Sequence, residues 1–178
     1  MILLTGFEKF GKNSLNLSLE LVNNFPQKIN GREIKKLILP VSWEASVKSY
    51  RTVLSCLKEE IELVILTGIH SGKKFYLELY AWNFRFGKDE YHKYKFGFIK
   101  FGEPLRIKSI FNIDVKILDQ ISISSSPSFY LCNYIYFWAL LLSKYDYPVV
   151  FLHIPKKEEL NKCIKVVEKA SIKLIKEV

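Results

Sequence analysis

At 178 residues the chain has the length of one domain, enough to bury about two-thirds of its unfolded surface. With 49% hydrophobic and 25% charged residues it has the composition of a globular protein, which excludes a disordered or fibrous chain. The formal charge of +9 raises nucleic-acid binding, but only four of 27 basic residues are arginine and the lysines are scattered. A solvated lysine surface is therefore expected, and no nucleic-acid partner.

The chain opens on Met1 to Leu4, a buried strand closed by Thr5-Gly6, whose apolar run is too short for a signal peptide. Between Leu15 and Phe25, Leu15, Leu19 and Val22 share one helical face. A second strand runs from Ile34 to Val41, closed by Pro40, and Glu44 to Lys58 reads as a helix through Val47, Tyr50, Val53, Leu54 and Leu57. Leu63 to Thr67 is a continuous apolar strand ending in Gly68, the pattern of a parallel sheet covered on both faces. Phe75 to Phe101 is aromatic and irregular, suited to short strands or an exposed hairpin. Asp114 to Leu118 predicts another strand.

Serine and proline in Ser124–Ser128 mark a helix start, and Tyr130 to Ser143, apolar nearly all round, predicts a buried helix. Its longest apolar stretch, Tyr134 to Leu142, falls short of the roughly 20 residues of a membrane span, so no membrane partner is expected. Pro148 to Leu152 is a strand, and an amphipathic helix runs from Lys156 to the end. Strands and helices alternating in this order predict a single domain over residues 1–178, a three-layer α/β/α sandwich around a mostly parallel, mixed sheet. Three cysteines without CxxC spacing fit a reducing, cytoplasmic setting, and no metal-ligand spacing joins His70, His92 and His153.

Three residues on different elements carry the chemistry. Cys132 falls in the opening turns of a helix, where the dipole favours the thiolate and free backbone N–H groups can hold an oxyanion, although a small buried hydrophobe is the plainer reading. His153 ends an apolar strand, where ligand sites of open α/β sheets gather. Glu78 lies among large apolar side chains, and a buried carboxylate needs a partner. Together they are a thiol, a base and an orienter, the set a cysteine triad requires, although spacing alone does not bring them together.

The same residues sit in four motifs. Thr5-Gly6-Phe7-Glu8-Lys9-Phe10-Gly11 resembles the TGFEPFG signature of the pyroglutamyl peptidase I family, with Lys9 for proline. Gly72-Lys73 followed by Glu78-Leu79-Tyr80-Ala81-Trp82-Asn83 is similar to its GR…ERxAxN segment. Ser126 to Asn133 resembles SAGxYxCN, and Phe151-Leu152-His153-Ile154-Pro155 resembles FxHxP. The resemblance implies a phosphorylase/hydrolase-like fold and a short, divergent member of the family. It implies a cofactor-free cysteine peptidase that removes an N-terminal pyroglutamyl residue through a thioester, with Cys132, His153 and Glu78 catalytic. Phe7, Phe10, Tyr130 and Leu131 would wall the lactam pocket, and the partner would be a peptide with a blocked N-terminus. The sequence departs from the pattern at Ser128, where the family has glycine, at Lys73 and Leu79, where it has arginine, and around Lys88, against the family's ARIPDNxG stretch. Those departures leave two other readings open: a family member that binds without cleaving, and an omega peptidase of altered specificity. The Phe75–Phe101 aromatics would suit either the interface of a homo-oligomer or a cover over the site.

Overall fold

A computed structural model describes residues 1–11, 15–57, 60–111 and 120–176. Its centre is a seven-stranded sheet in the order β10-β5-β11-β4-β1-β3-β2. The strands are β1 (Ile2–Phe7), β2 (Lys28–Ile29), β3 (Arg32–Leu39), β4 (Leu63–His70), β5 (Phe75–Glu78), β10 (Ile121–Ser124) and β11 (Val149–Pro155). The pairs of β1 with β3 and β4, of β4 with β11 and of β5 with β10 are parallel. The β11–β5 and β2–β3 pairs are antiparallel, so the sheet is mixed as expected.

Strand periodicity splits the core in two. Ile2, Leu4, Ile65, Val150, Leu152 and Ile154 face one side and pack with α1 (Leu17–Asn24) and α4 (Leu160–Lys176). Leu3, Val64, Leu66, Val149 and Phe151 face the other and pack with α2 (Trp43–Leu57) and α3 (Leu131–Ser143). The three-layer expectation holds, with helices on both faces of the sheet. Helix α3 is apolar all round because it packs against the sheet, α2 and the short pair β6 (Tyr80–Trp82) and β9 (Arg106–Lys108) at once.

Several boundaries move. β1 and β4 run through Gly6 and Gly68, where ends were expected, because glycine there gives clearance to a neighbouring element rather than a turn. Helix α3 starts at Leu131 with Tyr130 at its cap, within a residue of the expected start, but no serine caps it: Ser124 closes β10, and Ser128 has a left-handed φ of 71°. Helix α4 starts at Leu160, because β11 continues to Pro155 and Lys156 N–H bonds the His70 carbonyl at 3.0 Å. The aromatic stretch does contain a hairpin, β7 (Arg85–Lys88) with β8 (Tyr94–Gly97), exposing Phe86, Tyr94 and Phe96. The strand expected at Asp114–Leu118 lies outside the described residues. No helix among the described residues is long and apolar enough to cross a membrane.

Candidate active site

Alternation along three adjacent strands builds one wall of the site. In β5, Phe75 and Leu77 face the α1/α4 layer, so Glu78 faces α3. In β11, Leu152 and Ile154 face α1/α4, so His153 faces α3. Antiparallel pairing sets His153 opposite Tyr76 and therefore diagonal to Glu78, within reach of a long side chain. His153 Nδ1 and Glu78 Oε1 are 2.7 Å apart, with both residues buried. Nε2 is then the ring nitrogen left for a second partner.

That partner is Cys132, in the first turn of α3. Parallel pairing sets Gly68 of β4 beside His153, and a Cβ at Gly68 would lie 2.8 Å from Cys132 Sγ. The thiol therefore rests directly on glycine backbone next to the imidazole. Burial alone would lower the His153 pKa, but hydrogen bonding to Cys132 and Glu78, with their charges, outweighs it and pushes the pKa up to about 9. In its imidazolium form the ring donates to both neighbours.

Helix α3 leaves its first N–H groups free: its first internal bond runs from Tyr134 N–H to the Tyr130 carbonyl. The N–H groups of Leu131, Cys132 and Asn133 therefore have no intrahelical partner at the helix end that carries Cys132. Asn133 anchors this end of the helix, its side-chain oxygen accepting from Trp82 N–H at 2.7 Å and its amide donating to the Trp82 and Phe84 carbonyls, each at 2.8 Å. Tyr136, one turn on, donates to the Glu78 carbonyl at 2.8 Å.

Phe7 and Leu131 are buried in the α2/α3-side core, and Phe10 and Tyr130 pack against it, so the four pocket candidates share one cluster with Cys132. Tyr130 donates its hydroxyl to the Lys88 carbonyl at 2.9 Å, and its ring sits against Gly87. The Lys88 side chain is exposed. The guanidinium of this stretch is Arg85, 5.6 Å from the Tyr134 ring centre, with its Nε buried and unpartnered.

Sequence reasoning missed His70. Its ring centre is 5.7 Å from that of His153, although their positions gave no sign of proximity. Nε2 of His70 lies 2.7 Å from the Lys74 carbonyl and Nδ1 accepts from Gly72 N–H, so the ring is neutral, and burial holds its pKa below the ordinary value. No group of metal-ligating side chains occurs among the described residues.

The family model described as pyroglutamyl peptidase matches residues 1–85. A pyrrolidone-carboxylate peptidase of Lactobacillus johnsonii is 28% identical over 171 residues, covering 86% of this chain and 77% of that protein. One of Thermococcus kodakarensis is 40% identical over 74 residues, 40% of this chain and 34% of that protein. Among solved structures, the pyrrolidone carboxyl peptidase of Thermococcus litoralis superposes with a TM-score of 0.91 at 25% identity, covering 98% of this chain and 93% of that one. That of Thermus thermophilus gives 0.85 at 25% identity over the full length of both. The fold is that of the pyrrolidone carboxyl peptidases, and over most of its length the chain is similar in sequence to proteins of that name.

Proposed function

We propose that this protein hydrolyses the bond after an N-terminal pyroglutamyl residue, with Cys132 as nucleophile, His153 as acid–base and Glu78 as the group that orients and charges the imidazole. The reading rests on the run from buried Glu78 and His153 to half-buried Cys132, assembled from three elements. The Cys132 thiolate attacks the carbonyl carbon; a C–S bond forms and the carbonyl electron pair moves to oxygen. The free N–H groups at the start of α3 stabilise that oxyanion. As the tetrahedral species collapses, the C–N bond breaks and His153 donates its proton to the departing amine. His153 then accepts a proton from the water that cleaves the thioester, which restores the thiolate–imidazolium pair. Phe7, Phe10, Tyr130 and Leu131 would wall the lactam ring.

A pyroglutamyl-linked fluorogenic amide tests this beside free-amino-terminal controls. Wild type should cleave only the blocked substrate, and Cys132→Ala should lose at least ~10³-fold in kcat/KM while remaining folded. Equal activity in the Cys132→Ala protein would exclude the mechanism.

A further inference from the structure

The C-terminal ends of β4 and β11 border a concavity of about 420 Å³, lined by Ser71, Gly72, Lys73, Pro155, Lys156, Lys157 and Glu158. Its charge is one-sided. Glu158, the only acid in the lining, is already paired with Lys162 at 2.7 Å. Lys73, Lys156 and Lys157 have no ion-pair partner among the described residues. Three lysines lining one concave surface, with Ser71 beside them, form a field that attracts an anion.

The concavity is also tied to the candidate site. Gly72 N–H bonds His70 Nδ1 at 3.1 Å, and Lys156 N–H bonds the His70 carbonyl at 3.0 Å. The His70 ring in turn lies 5.7 Å from the His153 ring. One imidazole therefore separates His153 from the wall of the concavity, a path on the order of 10 Å. An extended peptide covers that distance in about three residues at ~3.3 Å each.

We propose that this concavity is a subsite for a carboxylate carried two or three residues beyond the scissile bond; the proposal rests on the peptidase reading above. The carboxylate is the C-terminus of a short pyroglutamyl peptide or an acidic side chain at the same distance. Lys73, Lys156 and Lys157 hold it electrostatically, which selects short or acidic leaving peptides.

Three substrates separate the sources: pyroglutamyl-Ala-Ala as the free acid, its C-terminal amide, and pyroglutamyl-Ala-Glu amide. At low ionic strength, wild type should turn over the free acid about tenfold better than the amide in kcat/KM, equivalent to ~1.4 kcal/mol. The preference should shrink as added salt shortens the screening length. A matching gain for the glutamyl amide would show that the side chain serves as well as the terminus; no gain would restrict the subsite to C-termini. In the Lys73→Gln/Lys156→Gln/Lys157→Gln protein, shown to be folded by its melting curve, the acid-to-amide ratio should fall to about one. An equal rate for acid and amide in wild type, or a ratio that survives the triple substitution, would overturn the subsite. If wild type leaves the neutral fluorogenic amide of the previous section uncleaved, the function fails instead. The subsite is then judged by titrating N-acetyl-Ala-Ala and its amide into the Cys132→Ala protein. Acid-selective binding that the lysine substitutions remove would support it, and equal or absent binding of both would refute it.

Discussion

Glu78 gives one carboxylate oxygen to His153, while the other, Oε2, is buried without a hydrogen-bond partner. A buried carboxylate so sparsely hydrogen-bonded depends on the imidazolium charge to offset its desolvation. Glu78→Gln keeps the shape and removes the charge. The His153 pKa should fall from about 9, because it loses one of the two groups that raise it. The alkaline limb of kcat/KM should move down with it, and kcat should drop by ~10² or more. A pH–rate profile of the two proteins checks both, and an unmoved limb would remove Glu78 from the mechanism. Ser128 makes a different point at the same scale. Its φ of 71° lies in the left-handed region that favours glycine, and its Oγ accepts only a long 3.3 Å bond from Tyr130 N–H. Ser128→Gly should stabilise the protein by roughly 0.5–1 kcal/mol in urea unfolding, since the left-handed conformation costs a residue with a Cβ about that much or more. Position 128 is also where the resembled motif has glycine, the residue that this φ favours.

Among the elements, α3 carries most of the positioning. Its N-terminus presents Cys132, its next residue fastens β6, and Tyr136 one turn later holds the Glu78 backbone. Asn133 is fully buried and satisfies both peptide groups it faces on β6, plus the Phe84 carbonyl. Asn133→Ala would leave one N–H and two carbonyls unpaired in the interior, at ~1–3 kcal/mol each, partly relieved by relaxation. We expect a loss of about 3 kcal/mol in chemical denaturation, and a larger fall in kcat than in substrate affinity as the helix end shifts; a loss below 1 kcal/mol would mean that water replaces the amide. This role was hard to see in sequence, where Asn133 was only the last letter of a motif. Which way Glu78 and His153 point follows from strand alternation, and Cys132 falls in the opening turn of the helix expected to carry it. Gly68 and His70 were not legible in this way. Gly68 read as a strand end, although its function is the bare backbone under Cys132 Sγ, and that depends on the register between β4 and β11. His70 meets His153 only because β4 and β11 run parallel with Pro155 opposite His70, a pairing that spacing along the chain does not encode. The start of α3 was read to within one residue, but not its cap: the cap position is Tyr130, with no side-chain hydrogen bond, while Ser124 pairs with Glu78 at the end of β10.

For the molecule as a whole, the sheet order β5-β11-β4 sets Glu78 beside His153 and Gly68 under Cys132, and the proton shared within that group ties global stability to pH. An unfolded histidine titrates near 6.5, whereas His153 in the folded protein titrates at about 9. In the proposed thiolate–imidazolium pair the proton on His153 is the one that Cys132 gives up, so between pH ~6.5 and ~8.5 the folded pair and the unfolded thiol with its neutral imidazole hold one proton each. Stability is therefore level across that window and falls above pH ~8.5, where the unfolded thiol ionises while the folded pair keeps its proton to about pH 9. Cys163 works in the same direction at the alkaline end: burial pushes its pKa up to about 12, so the unfolded thiol ionises first, above pH ~8.5. Comparing wild type with Cys132→Ala in guanidinium unfolding from pH ~6 to ~9.5 isolates the shared proton. Wild type should be level from pH ~6.5 to ~8 and lose stability above pH ~8.5. Cys132→Ala has no thiol to give up a proton, so its imidazolium, still paired with Glu78, holds a proton that the unfolded chain releases, and its stability should decline from pH ~6.5. A wild-type curve that falls from pH ~6.5 would mean that the imidazolium rests beside a protonated thiol, and that the thiolate forms only when substrate arrives.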